Sequence, residues 1–351
     1  MKIITIIGAR PQFVKAATLS REIQMHDDIQ EVIIHTGQHF DPNMSAIFFE
    51  QMHIPKPDYN LGIASLAHGA MTGRMMEEIE KIVVDEKPDW MVVYGDTNST
   101  LAGALVASKL HIKLAHIEAG LRSFNMKMPE EVNRILTDRI SDVLFCPTET
   151  AVSNLKKEGF KNFNCSIEKV GDVMYDAALF YKDKAKKPTF ELPDEFVLAT
   201  IHRAENTDSK EKLAIIVEAF NEIHKQTPVI LTLHPRTKQF IEKYNLKTDF
   251  LVIDPVGYLE MIYLIDHCKM ILTDSGGLQK EAYFFKKPCV TLRDQTEWVE
   301  LIDSGANILS EISFEEILSA FNLMQHRDID FSKELYGDGM AAKGIVAILN
   351  I

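Results

Sequence analysis

Three segments in the first half of the chain carry acidic side chains where chemistry is possible. They are YGDTNST at 94–100, HIEAGLRS at 116–123 and PEEVNR at 129–134, which contain Asp96, Glu118, Glu130 and Glu131. Asp96 and Glu118 each follow an apolar run typical of a buried strand, so both should emerge at the carboxyl edge of one sheet. Carboxylates that share a crevice repel each other, so one can hold a proton while another takes one. The pattern predicts acid/base chemistry on a substrate that already carries negative charge.

PEEVNR predicts the start of a helix, and its charged residues are expected to have different roles. Arg134 lies one turn after Glu130 on the same face, which predicts that it orders the Glu130 carboxylate. For Glu131 a structural role on a solvated helix face or in a salt bridge is favoured. Salt bridges at the sheet edge are the alternative to catalysis for Asp96 and Glu118.

Two basic loops are candidates for binding an anion. GARPQFVK at 8–15 follows the first strand, and it places Arg10 beside the free amides of a helix N-terminus. TIHRAEN at 200–206 ends another predicted strand, and from it His202 and Arg203 can reach phosphates. The alternatives are a solvated arginine in a plain turn and a structural histidine. Neither loop reads GxGxxG or GxxxxGK, so nicotinamide and P-loop nucleotide sites have little support.

The segment TDSGGLQKEA at 273–282 predicts a diphosphate site. Ser275, Gly276 and Gly277 form a strand-to-helix turn whose bare amides can approach a diphosphate, helped by the helix dipole. Glu281 lies one turn later and can accept hydrogen bonds from both hydroxyls of a ribose. A generic serine-glycine turn is the alternative.

Alternating strand and helix signals must position these residues. Apolar runs of strand length occur in two sets, at 3–7, 32–35, 90–94, 114–117 and 143–146, and at 196–201, 229–233, 251–253, 270–272 and 289–292. The pattern predicts an α/β protein with two Rossmann-like, doubly wound domains. The charged, proline-containing segment 171–193 predicts the boundary, which gives an acid/base domain at 1–171 and a domain with the predicted nucleotide diphosphate site at 172–335. A helix within 336–351 is expected to pack back on the first domain.

Composition excludes several classes of protein. The 351 residues are 46% hydrophobic and carry a formal net charge of -13, which argues against general nucleic-acid binding. No run is long enough for a signal peptide or a membrane span, so we expect a cytoplasmic protein. The four cysteines are far apart without metal-ligand spacing, and we expect buried thiols rather than a zinc site or disulfides.

The motifs GARPQFVK, GQH, GDTNST, HIEAGLRS, PEEVNR, HRAEN and TDSGGLQKEA, in this order and spacing, resemble the non-hydrolysing UDP-N-acetylglucosamine 2-epimerases over essentially the whole chain. The resemblance implies a glycosyltransferase-B architecture, with two Rossmann-like domains facing a cleft that holds a UDP-sugar. It also implies a homodimer, no metal and no other cofactor, and a role in making precursors of bacterial surface polysaccharides.

The resemblance also implies roles for individual residues. UDP leaves carbon 1 as a proton leaves carbon 2, and both return with the proton on the other face. Asp96, Glu118 and Glu130 are the expected proton carriers, with His202 also in the catalytic set. The expected contacts to UDP or the sugar are Arg10, Lys15, His202, Arg203, Ser275, Gly276, Gly277, Glu281, Arg134 and Lys127.

Four segments, HTGQHFDPNMS, RSFNMKMPEE, DPVGYLEM and DQTEWVE, most resemble the branch that acts on UDP-2,3-diacetamido-2,3-dideoxy-glucuronate and gives the mannuronate. Lys127 supports that branch, because a cation before the PEE acids can pair with a sugar carboxylate. UDP-N-acetylglucosamine is the other substrate considered. A UDP-sugar-dependent glycosyltransferase, a hydrolysing epimerase and a non-enzymatic UDP-sugar sensor are the alternative functions.

The chain departs from the pattern that binds an activating second UDP-N-acetylglucosamine in many bacterial members. Those enzymes have QHRQ, an arginine in the following loop, and HRREN. This chain has QHFD at 38–41, AH at 67–68 and HRAEN at 202–206. The differences predict hyperbolic kinetics without activation by substrate.

Overall fold

The computed structural model describes residues 1–38 and 55–350, except the side chain of Arg10. The chain divides into two compact units, one formed by 1–177 with 335–351 and the other by 178–334. The predicted boundary segment contains a helix, Val173–Lys182, and the dividing point lies within it. Its apolar side chains at Val173, Ala177, Ala178 and Tyr181 are buried, which stabilises a helix there.

The first unit contains a parallel sheet of seven strands in the order β3-β2-β1-β4-β5-β6-β7. The strands are β1 Lys2–Ile7, β2 Gln30–His35, β3 Tyr59–Asn60, β4 Trp90–Tyr94, β5 Lys113–Ile117, β6 Val143–Cys146 and β7 Ser166–Lys169. The helices described in it are α1 Arg10–Ile23, α2 His68–Glu86, α3 Asn98–Lys109, α4 Pro129–Ile140, α5 Glu149–Lys157 and the first half of α6 Val173–Lys182.

The second unit contains a parallel sheet of six strands in the order β10-β9-β8-β11-β12-β13. Its strands are β8 Val197–Ile201, β9 Val229–Leu233, β10 Leu251–Ile253, β11 Met270–Thr273, β12 Cys289–Thr291 and β13 Asn307–Leu309. Its helices are α7 Ala204–Thr207, α8 Lys210–His224, α9 Pro235–Tyr244, α10 Tyr258–His267, α11 Gly276–Phe284, α12 Val299–Asp303 and α13 Phe314–His326. The predicted α/β class with two Rossmann-like sheets is confirmed.

Both sheets change winding direction at one point, and ligands of open α/β sheets bind outside the carboxyl ends of the strands there. In the first unit this point lies between β1 and β4, which pair in register from Ile3 opposite Trp90. In the second unit it lies between β8 and β11, where Thr200 pairs with Thr273. The topology therefore selects the turns after these four strands as candidate functional positions.

The last helix, α14 (Ala341–Leu349), belongs to the first unit and packs against α1. Its N-terminus lacks a side-chain cap of its own, and Asp176 of α6 supplies one. The Asp176 carboxylate accepts hydrogen bonds from the amides of Ala341 at 3.1 Å and Ala342 at 2.8 Å. Burial raises the pKa of Asp176, an effect opposed by these two bonds. The N-terminus of the last helix is thus capped by α6, the helix that contains the dividing point between the two units.

Three further findings concern the described residues. No helix among them is long and apolar enough to cross a membrane. No cluster of three histidine, cysteine or acidic side chains among them is placed to hold a metal ion. Cys146, Cys268 and Cys289 are buried free thiols, whereas Cys165 is only partly buried, so the expectation of burial is wrong for that residue. Burial raises the pKa of Cys268 and of Cys289 to about 12, which leaves both protonated and unreactive at neutral pH.

Candidate active site

The turns after β1 and β4 are joined by the buried side chain of Gln12. Its Oε1 accepts hydrogen bonds from the amides of Gly8 at 2.8 Å and Ala9 at 3.0 Å. Its Nε2 donates to the carbonyl of Tyr94 at 2.7 Å and to the hydroxyl of Thr97 at 3.0 Å. Gln12 therefore fixes the loop that follows β1 against the loop that carries Asp96.

Glu118 lies directly after β5 and forms an ion pair with Lys15 of α1. The two side chains are only 10% and 9% exposed. The backbone of Glu118 has a φ of 72°, a conformation that costs a non-glycine residue energy. Its amide donates to the carbonyl of Phe145 at 3.1 Å. This strained residue in a turn presents a carboxylate whose charge is matched by one lysine.

Gly95, between β4 and Asp96, has a positive φ and lies close to the Glu118–Lys15 pair. Its φ is 62°, and a Cβ added there would lie 3.1 Å from Oε2 of Glu118 and 3.6 Å from Nζ of Lys15. The absence of a side chain therefore lets the Asp96 loop pass close to the Glu118–Lys15 pair.

Arg134 of α4 forms an ion pair with Asp96 and not with Glu130, the residue predicted to be its partner. Its Nη2 pairs with Oδ2 of Asp96, and its Nη1 with Oε2 of Glu131 at 2.9 Å. The prediction that Arg134 orders Glu130 is wrong, because the rotation of α4 about its axis buries Glu131 beside Arg134 and leaves Glu130 exposed. The two carboxylates that follow β4 and β5, Asp96 and Glu118, thus each have a cation beside them.

Burial raises the pKa of Asp96 above its ordinary value. The charge of Glu118 raises it further, while Arg134 and Lys15 oppose both effects. An aspartate in this environment binds a proton at higher pH than a solvated one. That is the property needed for a group that gives and takes protons near neutral pH.

Glu131 has a structural role, but it does not face solvent. Its fully buried carboxylate accepts hydrogen bonds from the amides of Ser123 at 2.9 Å and Phe124 at 2.8 Å. Phe124 has a φ of 57°, so the loop before α4 is held in a tight conformation. Lys127, further along this loop, is exposed, and its amide donates to the side chain of Asn125 at 3.1 Å. Glu131 therefore fixes the base of the loop that presents Lys127.

In the second unit, α11 begins at the predicted serine-glycine turn. Ser275 is its N-cap, and its hydroxyl accepts from the amide of Leu278 at 3.4 Å. A Cβ on Gly276 would lie 2.5 Å from Oε1 of Glu297, whereas one on Gly277 would meet open space. Glu297 pairs with Arg293 at 3.2 Å. Because Gly276 has no side chain, the Arg293–Glu297 pair can approach the N-terminus of α11. The N-terminus of a helix is a suitable position for an anion.

His202 is held by a buried aspartate that the sequence reasoning missed. Asp274 is fully buried and accepts from the backbone amides of His202 at 3.0 Å and Arg203 at 3.0 Å, and from Nδ2 of Asn206 at 3.1 Å. Its Oδ1 also lies 3.3 Å from Nδ1 of His202. The sequence could have indicated this contact, because Asp274 directly follows β11, and β11 pairs with β8, the strand that ends before His202.

A second histidine that the sequence reasoning missed is His234, the N-cap of α9. Its ring centroid is 6.0 Å from that of His202, and its Nδ1 accepts from the amide of Arg236 at 3.2 Å. Burial lowers the pKa of His234, and the nearby His202 and Arg236 lower it further. The signal was the position of His234 between strand β9 and a proline at the first helical position.

The remaining predicted site residues are placed as follows. Glu281 lies on α11 and is partly buried, as is Arg203. The backbone of Arg10 begins α1, but its side chain lies outside the described residues. The same holds for 39–41 of the QHFD segment and 39–45 of HTGQHFDPNMS. The structure thus places Asp96, Glu118, Lys15 and Arg134 together in one unit, and His202 near the Ser275 turn in the other.

The known proteins that are similar to this chain match it over most of its length and are sugar-nucleotide 2-epimerases. The family model for UDP-N-acetylglucosamine 2-epimerase matches residues 21–350. A UDP-2,3-diacetamido-2,3-dideoxy-D-glucuronate 2-epimerase from Pseudomonas aeruginosa is 58% identical over 99% of both chains. A UDP-N-acetylglucosamine 2-epimerase from Methanocaldococcus jannaschii is 45% identical over 99% of both.

Solved structures agree with this result. The crystal structure of the M. jannaschii UDP-GlcNAc 2-epimerase with UDP-GlcNAc and UDP has a TM-score of 0.88 at 45% identity, covering 100% of this chain and 99% of the other. The Neisseria meningitidis UDP-GlcNAc 2-epimerase bound to UDP-GlcNAc also has a TM-score of 0.88, at 30% identity and full coverage of both chains. This chain belongs to the UDP-N-acetylglucosamine 2-epimerase family and is a carbohydrate isomerase.

Proposed function

We propose that this protein is a non-hydrolysing UDP-sugar 2-epimerase that converts UDP-2,3-diacetamido-2,3-dideoxy-glucuronate to its mannuronate epimer. The observation that carries the chemistry is the pair of carboxylates after β4 and β5, Asp96 and Glu118, each beside its own buried cation. The 58% identity to the P. aeruginosa enzyme of that name supports the choice of substrate. The M. jannaschii enzyme, at 45% identity, supports UDP-N-acetylglucosamine as the second candidate.

The reaction needs two proton carriers and a stabilised leaving group. A carboxylate takes the proton from carbon 2, and the electron pair of that C–H bond forms a double bond between carbons 1 and 2. The bond from carbon 1 to the diphosphate oxygen breaks, and its electrons leave with UDP. The same UDP oxygen then adds back to carbon 1 while a proton reaches carbon 2 from the other face. Asp96, Glu118 and Glu130 are the proposed carriers, and such groups typically contribute about 10²-fold to 10⁴-fold.

The second unit supplies the proposed binding groups for UDP. The amides at the start of α11, with the hydroxyl of Ser275, suit the diphosphate, and Glu281 suits the ribose. His202, which Asp274 orients, adds a donor toward the leaving diphosphate. Arg10, Arg203 and His234 are further candidates for its negative charge.

Lys127 is the proposed group for the sugar carboxylate. It is exposed and lies on a loop whose base Glu131 fixes, so its ammonium can reach a ligand from a defined anchor. With Lys127→Met, we expect KM for the uronate to rise about tenfold, the equivalent of one lost exposed charge contact, while KM for UDP-N-acetylglucosamine stays the same. Equal effects on both substrates would remove Lys127 from this role.

Incubation in deuterated water with each UDP-sugar in turn tests the proposed function. Epimerisation with deuterium at carbon 2 and an intact UDP linkage is expected, with the uronate preferred. Free sugar would indicate a hydrolysing epimerase, and sugar transfer to an acceptor would indicate a glycosyltransferase. Binding of nucleotide without exchange would indicate a sensor.

Variants assign the roles within the same assay. Asp96→Asn and Glu118→Gln should keep UDP binding and lose about a hundredfold or more in turnover. Glu77→Gln, at an exposed surface position, is the matched control. Near-normal rates in both site variants would place the proton carriers elsewhere. The homodimer, the cytoplasmic location and the role in surface polysaccharide synthesis stay predictions.

A further inference from the structure

A buried ionic network lies behind the turns that carry Asp96 and Glu118. Its centre is His116 of β5, whose side chain is fully buried. The Nδ1 of His116 lies 2.7 Å from Oδ1 of Asp138, and its Nε2 lies 2.7 Å from the carbonyl oxygen of Gly95. Both ring nitrogens therefore face oxygen atoms.

Asp138 joins His116 to the turn after Glu118. Its Oδ2 accepts hydrogen bonds from Nη1 of Arg122 at 2.7 Å and from the amide of Gly120 at 3.2 Å. The side chain of Asp138, like that of His116, is fully buried.

Arg122 anchors Asp138 through the carboxylate oxygen that does not face His116. The side chain of Arg122 is fully buried, and its Nε also pairs with Glu158 at 2.7 Å. The strands on either side of β5 pair Val93 of β4 and Leu144 of β6 with His116.

We propose that His116, with Asp138, positions the two catalytic carboxylates relative to each other. Gly95 directly precedes Asp96, and Gly120 follows Glu118 by two residues. The path from the Gly95 carbonyl through His116 and Asp138 to the Gly120 amide joins the two turns with three hydrogen bonds. His116 is a positioning residue, since it acts through these turns. The catalytic part of the inference rests on the proposed function.

The hydrogen bonds of His116 are tested on the whole protein without substrate. Nitrogen-15 NMR of protein labelled in its 12 histidines, assigned by loss of one signal in His116→Asn, reports the hydrogen bonding of each ring nitrogen. We expect both ring nitrogens of His116 to be hydrogen-bonded. A ring nitrogen without a hydrogen bond would overturn the path between the two turns.

The positioning role is tested with two matched neutral variants. His116→Gln keeps a donor that can reach the Gly95 carbonyl, while His116→Asn keeps one that can reach Asp138 but not Gly95. We expect kcat to fall about a hundredfold in His116→Asn and clearly less in His116→Gln, the scale expected for a misplacement of about 1 Å. The Kd for UDP should stay constant, because the main proposed UDP groups, namely the start of α11 with Ser275, Glu281 and His202, belong to the other unit. Equal, unchanged kcat in two folded variants would overturn the positioning role, while an inactive wild type whose His116 nitrogens are both hydrogen-bonded would count against the proposed function alone.

Discussion

Replacing Lys15 by methionine is expected to destabilise the first unit by leaving the Glu118 carboxylate buried without its cation. The two side chains are only 9% and 10% exposed, so water screens them little. Removing one partner of a buried pair costs about 3–5 kcal/mol, because the remaining charge loses its compensation. Methionine keeps the length and apolar stem of lysine, so packing is nearly conserved. The cost should therefore be mainly electrostatic.

The double-mutant cycle separates this cost from general disruption. Glu118→Gln alone should leave the Lys15 ammonium unpaired at a similar cost, while the double variant buries two neutral side chains. We expect a coupling free energy of about 2–3 kcal/mol between the two positions, at the upper end for residues in contact. Additive effects would refute the claim that the pair is a buried ionic interaction.

The chain offers a direct way to assign the effect to one unit. Its two tryptophans, Trp90 and Trp298, are both buried and lie in different units. Urea unfolding followed by fluorescence in a Trp298→Phe background reports on the first unit, and a Trp90→Phe background reports on the second. The midpoint of the first unit should fall in Lys15→Met while that of the second stays constant. A shift confined to the Trp298 signal would contradict the structural argument.

Three further predictions test other contacts. Arg134→Gln removes a cation that favours the charged form of Asp96, so the pKa of Asp96 should rise further. The acid limb of the pH profile of kcat/KM should therefore move to higher pH. If the acid limb does not move, Asp96 is not the group that titrates there. Gly95→Ala forces a side chain into a positive-φ turn, which should cost about 1–3 kcal/mol by urea unfolding. Asp274→Asn weakens the hydrogen bonds that hold His202, and the Kd for UDP by calorimetry should rise about tenfold.

The central strands and the positions after them could be predicted from the sequence, because buried parallel strands are nearly continuous apolar runs. The missed strands, β3, β7 and β13, lie at sheet edges and are short, and β3 and β7 are also partly polar. An edge strand is covered on fewer sides, so its sequence carries a weaker apolar signal. The predicted strands therefore sufficed to locate the candidate catalytic turns, although both sheets were incomplete.

The contacts among site residues could be predicted less well. Glu130 and Glu131 are adjacent in sequence, and only the rotation of α4 about its axis decides which of them faces Arg134. His116 lies inside an apolar run, which predicts a strand but not the polar partner that each of its ring nitrogens has. Pairings of this kind depend on side-chain directions between elements distant in sequence, and periodicity does not report those directions.

The backbone amides of the two helix N-termini support the proposal that the diphosphate binds in the second unit. In the first unit, the amides of Gly8 and Ala9 are already bound by Oε1 of Gln12, so the turn before α1 offers a phosphate fewer donors than its sequence suggests. In the second unit, Gly276 and Gly277 are the first two residues of α11, and amides at these positions have no acceptor within the helix. The amides that match Gly8 and Ala9 in position, those of Asp274 and Ser275, also have acceptors, the Thr200 carbonyl at 3.3 Å and the Thr273 hydroxyl at 2.9 Å. The two N-termini differ in the first helical turn, because the second residue of α1 is Pro11, which has no amide hydrogen. A phosphate bound at α11 therefore gains the amides of both Gly276 and Gly277, whereas α1 offers one amide at the same two positions.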